Sequence, residues 1–222
     1  MPENRGTVRA AASDPPMPKT KPEPIELKEA CILAAREVIA ERGIENLSLR
    51  EVSRKLGVSH QAPYKHYPSR DHLLAEVMRR CFESFARSLD ARARHEEPAR
   101  DLESLGRQYL AYAAAHPLEY RLMFGTPWPE PAEHPQLVQD AVHAFDVLRG
   151  VLRSMYGADA AMRAQVDLQA MFIWSAMHGL ASIQQANVMD CLKLAPKVAA
   201  QAPDHVMRMI EQALLGAVSP RG

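Results

Sequence analysis

The segment with the most specific chemistry is short and polar, and it runs from residue 59 to residue 66. His60 and Gln61 carry groups that can hydrogen-bond to base edges in a DNA major groove. Ala62 is small enough for the backbone to approach the bases, and its methyl group can touch a thymine methyl. The side chains that can reach backbone phosphates are Tyr64, Lys65 and His66. Insertion into the major groove would explain why so short and polar a helix is ordered.

Two short helices joined by a tight turn would position this segment. Ser48 and Glu51 have the spacing of a capping box, in which each side chain satisfies an orphan amide of the first helical turn. Gly57 ends that helix, Ser59 can cap the third helix, and Ser69 caps a fourth. The stripe that would be buried comprises Leu49, Val52 and Leu56. This arrangement is typical of a helix-turn-helix.

The charge distribution supports the same interpretation, although the net charge of the 222 residues is zero. Residues 47–72 carry five basic and two acidic side chains, an excess of +3, whereas residues 73–222 carry 15 basic and 17 acidic ones. The basic excess therefore lies where phosphate contacts would form. The joint pattern of cap, turn, polar helix and second cap favours DNA binding over a solvated basic face on an ordinary bundle. The residues predicted to contact DNA are Ser48, Arg50, Ser59, His60, Gln61, Ala62, Tyr64, Lys65, His66 and Arg70.

The periodicity along the rest of the chain predicts an all-α protein of about nine helices. Residues 1–24 hold six of the 17 prolines and are expected to form a disordered tail. Residues 25–72 would form a three-helix DNA-binding domain, and residues 73–222 a larger helical domain. The helical segments expected in the larger domain, after the one that Ser69 caps, lie near residues 100–115, 117–124, 135–156, 160–187 and 203–217.

Several stretches of residues 25–75 combine into a recognisable pattern, namely residues 32–35, Gly43, and residues 47–52, 56–59 and 64–74. Together they resemble the DNA-binding domain of the TetR (tetracycline-repressor-like) family. Many members carry another aromatic residue in place of Tyr67 and lysine in place of Arg70, and both changes keep the chemistry. The resemblance implies a transcriptional regulator that binds double-stranded DNA.

The C-terminal part contains a second set of matching residues: His116-Pro117, residues 120–125, and Trp174 followed by His178-Gly179. These resemble a ligand-binding domain named for its Trp-His-Gly pattern. The resemblance implies a homodimer in which the last two long helices of each subunit form a four-helix bundle. It also implies a roughly palindromic operator and a repressor that a small effector releases by changing the spacing of the two DNA-binding heads.

Aromatic and methionine side chains of this larger domain are candidates for the effector pocket. Trp174 and His178 are four residues apart and therefore lie on one helical face. The alternative is that most of these side chains are simply core, and Gly179 beside His178 also suits close helix packing. The residues predicted to bind the ligand are Tyr120, Met123, Phe124, Trp174, Met177 and His178.

The sequence gives little support to other function classes. Motifs of metalloproteases, α/β-hydrolases and nucleotide-binding enzymes are missing, and nine histidines are scattered without ligand spacing, so we expect no enzyme, cofactor or metal site. The N-terminal residues lack the apolar core of a secretory signal, and three separated cysteines suit a reducing cytoplasm. The remaining alternatives are an activator, a non-specific DNA-binding protein without effector, and, remotely, an enzyme using the C-terminal domain.

Overall fold

The computed structural model describes residues 24–186 and 191–218, and these residues are helical with no β-strand. The α-helices bounded within them are α1 (Pro24–Arg42), α2 (Leu49–Leu56), α3 (Arg70–Asp90), α4 (Pro98–Ala115), α5 (Pro117–Phe124), α6 (Pro135–Tyr156), α7 (Ala160–Arg163), α8 (Val166–Gln185) and α9 (Pro196–Val218). Three 3-10 helices lie at Ile44–Asn46, Pro63–Lys65 and Pro131–Glu133. The predicted all-α class is confirmed, whereas the expected tail of residues 1–24 falls almost entirely outside the described residues.

The N-terminal helices begin and end where their capping residues predict. The Ser48 hydroxyl accepts a hydrogen bond from the Glu51 amide at 3.1 Å, and the Ser69 hydroxyl accepts one from the His72 amide at 3.3 Å. Gly57 ends α2 in the left-handed conformation, with φ at 65°. The predicted caps at Ser48 and Ser69 and the glycine stop are therefore confirmed. The return half of the predicted capping box is wrong, because the Glu51 carboxylate accepts from Arg42 and Arg54.

The predicted third α-helix over residues 59–66 is wrong in type, because this segment forms a turn followed by the 3-10 helix Pro63–Lys65. Pro63 has no amide hydrogen, so it cannot donate to the carbonyl of Ser59 four residues earlier. The Ser59 carbonyl instead accepts the amide of Ala62 at 3.0 Å. Ala62, not Ser59, precedes the 3-10 helix, which has no side-chain cap.

The long helix α3 connects the two parts of the molecule through one continuous hydrophobic core. Its first turns bury Leu73 and Leu74 against the N-terminal helices, whereas Phe82 and Phe85 pack into the larger helical part. The Tyr67 hydroxyl donates to the Lys28 carbonyl at 3.2 Å and ties the segment before α3 to α1. The end of the DNA-binding segment and the larger part therefore share one rigid element.

Two boundaries in the C-terminal part differ from the sequence-based expectation. The segment expected near 160–187 divides into the short helix α7, capped by Asp159, and α8. The last helix begins at Pro196 and contains Pro203 in its interior, although proline was expected to separate segments. No helix in the described ranges is long and apolar enough to cross a membrane.

Candidate nucleic-acid interface and ligand cavity

The turn at residues 59–65 presents its polar side chains to solvent and its apolar ones to the core. Pro63 and Tyr67 are buried and anchor the turn, and the Tyr64 ring is 49% exposed. The other exposed members of the predicted DNA-contacting set are Arg50, Ser59, His60, Gln61 and Lys65. The partly buried members are Ser48, Ala62, His66 and Arg70. The ten residues thus belong to the start of α2, the turn and the beginning of α3, and the surface of this segment is the predicted DNA-contacting surface.

Ion pairs within the structure divide the basic residues of this surface into two groups. Arg54 lies 2.8 Å from Glu51, and the Lys55 ammonium lies 2.7 Å from Glu41. Arg50 and Lys65 form no ion pair with any residue that the structure describes. The excess of +3 that the sequence indicates is therefore available to phosphates mainly through these two cations.

Arg70 has a structural role that the sequence did not reveal. Its Nε donates to the Leu47 carbonyl at 3.1 Å, and its Nη2 donates to the Ile44 carbonyl at 3.0 Å. Its Nη1 donates to Asp71 at 3.0 Å. The planar guanidinium thereby holds the loop before α2 against the start of α3, which a lysine with one nitrogen could not do in the same way. Its predicted DNA contact stays a prediction.

A contact with α2 fixes the orientation of His60. The Ser53 hydroxyl donates its single proton to the Arg50 carbonyl at 2.8 Å, so it can only accept from the His60 ring, whose Nδ1 lies 3.4 Å away. That contact requires a proton on Nδ1, and it leaves Nε2 as an acceptor when the ring is neutral. An outward acceptor can pair with the amino group of cytosine or adenine in a major groove.

The larger helical part encloses a cavity of about 750 Å³ among α3, α4, α5, α6 and α8. Five of the six predicted ligand residues line it, namely Met123, Phe124, Trp174, Met177 and His178. Tyr109, Trp128 and Phe145, which were among the wider aromatic candidates, also line it, and so do Phe82 and Phe85, which were not. On α3 the two phenylalanines continue the stripe that buries Leu73 and Leu74, so no sequence signal separates cavity lining from core.

Tyr120, the sixth predicted residue, lies behind the cavity wall and connects two of its polar side chains. Its hydroxyl is 2.6 Å from the Tyr109 hydroxyl and 2.7 Å from His178 Nδ1. The other ring nitrogen of His178, Nε2, is 3.4 Å from the Ser182 hydroxyl. Burial raises the pKa of Tyr109 to about 12 and that of Tyr120 further, and burial lowers the pKa of His178. At neutral pH this Tyr109–Tyr120–His178 chain is therefore uncharged.

A charge pair between α6 and α8 lies at the solvent-exposed side of the cavity. Arg149 Nε and Nη2 donate to the two carboxylate oxygens of Asp167 at 2.8 and 2.7 Å, and Nη1 donates to Asp146 at 2.9 Å. The Arg149 guanidinium also lies 5.6 Å from the centre of the Phe145 ring. Because the residues are distant in sequence, this bidentate pair had no sequence signal.

Helix α5 touches both the cavity and the DNA-binding helices. It contributes Met123 and Phe124 to the cavity wall and Tyr120 to the polar chain. On its other side Glu119 forms an ion pair with Arg36 of α1. A second cavity of about 550 Å³ lies between α1, α5 and α8, and His178 borders it as well. Helix α5 therefore connects the lining of the ligand cavity to α1.

Two family profiles match most of the described chain. The profile described as "Bacterial regulatory proteins, tetR family" matches residues 32–77, and that described as "Tetracyclin repressor-like, C-terminal domain" matches residues 102–210. The first match contains the helix-turn-helix surface, and the second contains most of the cavity lining. The boundary between the two matches falls in the second half of α3 and the loop after it.

Relatives with the same architecture support this assignment. The HTH-type transcriptional regulator Rv1816 of Mycobacterium tuberculosis (strain ATCC 25618 / H37Rv) is 31% identical over 108 residues, which span 47% of this chain and 46% of the relative. The match thus covers about half the length of this curated relative. The crystal structure of a transcriptional regulator from Rhodococcus sp. Rha1 (RHA1_ro04179) is 25% identical, with a TM-score of 0.62 over 84% of this chain and 96% of that one.

A more distant structure shows the fold alone. A TetR-like transcriptional regulator from Rhodococcus sp. RHA1 is 16% identical, and its TM-score is 0.61 over 89% of this chain and 100% of that one. Fold, profiles and relatives agree on one family. The chain belongs to the TetR family of bacterial regulatory proteins.

Proposed function

We propose that the protein is a homodimeric repressor that binds a roughly palindromic operator and leaves it when a small molecule fills the cavity of about 750 Å³. Residues 25–72 form the DNA-binding domain in this proposal, and residues 73–222 form the effector-binding and dimerisation domain. The observation that carries it is that one helix joins the two sites. Ser69 caps α3 beside the DNA-contacting turn, and Phe82 and Phe85 of the same helix line the cavity.

The exposed turn is suited to base contacts, and its neighbours are suited to phosphate contacts. His60 presents an acceptor, and the adjacent Gln61 amide offers both a donor and an acceptor, as base recognition in the major groove requires. Arg50 and Lys65 flank them as unpaired cations among the described residues. A family member with this arrangement would place one such turn of each subunit in successive major grooves.

An apolar stripe on α8 supports dimerisation through the C-terminal helices. Leu168, Phe172 and Ile183 are 72%, 45% and 43% exposed, and their spacing places them on one helical face. The small residues Ser175 and Gly179 continue that face, and a Cβ atom at Gly179 would meet nothing within 4 Å. Exposed apolar stripes with small central residues favour close packing against another helix. We infer that the partner subunit's α8 and α9 cover this stripe.

The geometry also supports a route from the cavity to DNA. A ligand that displaces Phe124 or the Phe82 and Phe85 rings acts on α5 and α3, and these helices contact α1 through Glu119 and through the Leu73 region. Because each head is rigidly attached to α3, a small tilt of this helix changes the separation of the two turns. A separation that no longer fits successive grooves lowers operator affinity.

Selection of bound fragments from genomic DNA, followed by mobility shifts, tests the proposal. A repressor of this kind selects fragments with a shared two-fold symmetric sequence and binds a scrambled version far more weakly. Equal binding to scrambled DNA would instead support a non-specific DNA-binding protein. Transcription from a selected promoter in a purified system then distinguishes repression from activation.

A further inference from the structure

The cavity of about 750 Å³ is almost wholly apolar, and its polar side chains fall into two clusters. At one end lie Arg149 and Asp167, and at the other lie Tyr109 and His178. The indole nitrogen of Trp128 donates to the Met123 carbonyl at 3.0 Å, and Trp174 acts on Tyr109, where it lowers the pKa of the hydroxyl. What the cavity can recognise therefore depends on these two clusters.

The charged cluster is already paired within the protein. All three guanidinium nitrogens of Arg149 donate to carboxylates, two to Asp167 and one to Asp146. These are the only formally charged side chains among the described residues that line the cavity, and their pairing is internal. A carboxylate or ammonium group brought inside would lose its hydration without gaining a counter-ion.

The polar chain at the other end can offer either a donor or an acceptor. In one orientation Tyr109 donates to Tyr120, Tyr120 donates to His178 Nδ1, and His178 Nε2–H donates to Ser182. The donors of both tyrosines and of His178 are then used, and the Tyr109 oxygen keeps lone-pair capacity to accept from a ligand hydroxyl.

The opposite orientation needs no change of charge. Ser182 then donates to His178 Nε2, the His178 Nδ1–H donates to Tyr120, and Tyr120 donates to Tyr109. The imidazole stays neutral and only exchanges tautomer, which its lowered pKa favours at neutral pH. The Tyr109 hydroxyl hydrogen is released in this orientation, and only a ligand acceptor such as a carbonyl oxygen can use it.

We propose that the effector is an uncharged, mainly apolar molecule with one hydrogen-bonding oxygen, bound at Tyr109, and that the Tyr109–Tyr120–His178 chain accepts a hydroxyl or a carbonyl there by reversing the direction of its hydrogen bonds. This inference rests on the proposed function, because it names the effector class for that cavity. Tyr109 acts as the specificity-determining residue, and Tyr120 and His178 act through it.

The two tryptophans of the protein, Trp128 and Trp174, both line the cavity, so intrinsic fluorescence of the full-length protein reports ligand binding directly. The probes are a series of unbranched ten-carbon molecules: decan-1-ol, decan-2-one, decanoate and decylammonium. Each is titrated at pH 7.5. We expect the alcohol and the ketone to bind with similar affinity, and both ions to bind at least about tenfold more weakly, because their charge is buried unpaired.

Substitution of one hydroxyl tests the hydrogen bond itself. Tyr109→Phe keeps the ring and should weaken decan-1-ol and decan-2-one by about five- to tenfold, the usual loss for one hydrogen bond. Binding of butylbenzene, which has no oxygen, should not change. Tyr112→Phe is the matched control on the same helix, because its hydroxyl contacts the Cys81 carbonyl at 3.4 Å and does not line the cavity.

Three results would overturn this inference. They are ion binding as tight as that of the alcohol, unchanged alcohol and ketone affinity in Tyr109→Phe, and no fluorescence response to any of the five probes. Failure of the proposed function is distinguishable, since it would appear in a different assay. If decan-1-ol fills the cavity but leaves an operator complex intact in a mobility shift, release by the effector is wrong and the ligand class still holds.

Discussion

The ion pairs on the DNA-contacting surface predict that substitutions of chemically similar lysines have different effects on binding. Lys65 is exposed and has no acidic partner within the described residues, whereas the Lys55 ammonium lies 2.7 Å from Glu41 and 3.1 Å from Glu37. A lysine that neutralises a phosphate releases a condensed counter-ion, and a lysine that is already paired does not. Lys65→Ala should therefore change the salt dependence of binding, and Lys55→Ala should not.

The magnitude follows from the number of phosphates that the variant no longer neutralises. Each phosphate contributes about 0.9 to the slope of log Kobs against log salt concentration, so a dimer without its two Lys65 ammonium groups has a slope smaller by about 1.8. Over a fourfold salt range, from about 50 to 200 mM, this amounts to roughly a tenfold difference in how far affinity falls. Arg50→Ala should have a similar effect, because Arg50 is also unpaired within the described part of the chain.

Fluorescence anisotropy with a selected operator and with a scrambled one measures these slopes. Lys65→Ala should weaken binding to both DNAs by a similar factor, because phosphate contacts carry no sequence information. Thermal denaturation of each variant verifies that the fold is intact. Equal loss of slope in Lys55→Ala and Lys65→Ala would refute the division of the surface into paired and available cations.

Three further expectations concern stability and assembly. Ser69→Ala removes the cap of α3 and should lower the free energy of unfolding by about 1 kcal/mol, measured by urea denaturation. Phe172→Glu should convert the dimer to a monomer in sedimentation equilibrium, whereas Leu33→Glu, an equally exposed apolar position on α1, should not. His178 resists protonation when folded, so the unfolding free energy should fall as pH drops below its ordinary pKa of 6.5, and His178→Gln should show a shallower pH slope. Parallel slopes for the two proteins would contradict that assignment.

Features determined by neighbouring residues were predictable from the sequence. The caps at Ser48 and Ser69 and the left-handed Gly57 depend on residues within four positions, and all three are as expected. The type of the third helix was not, because Pro63 was expected only to tighten its first turn. The missing amide instead leaves the Ser59 carbonyl to the amide of Ala62, three residues on, and a 3-10 helix follows.

Features determined by distant residues were predictable in kind but not in arrangement. Five of the six predicted ligand residues line the cavity. Aromatic and methionine side chains at helical spacing indicate an apolar helix face, which must be covered by the core or by a ligand. The sequence could not show that Tyr120 contacts His178, 58 positions away, instead of the cavity itself. Nor could it show that Arg149 and Asp167 neutralise each other across 18 positions.

Contacts between distant residues also explain why the net charge of this protein does not show which of its charged side chains can bind a partner. Glu51, Glu41 and Asp71 bind three of the five basic residues in the segment 47–72, so that Arg50 and Lys65 remain for DNA. At the cavity a comparable pairing leaves a neutral interior with one polar end. In both places, internal ion pairs decide which few groups can act on a partner. A charge count from sequence therefore locates the DNA-binding region, whereas only the paired geometry identifies the residues within it that a phosphate or an effector can reach.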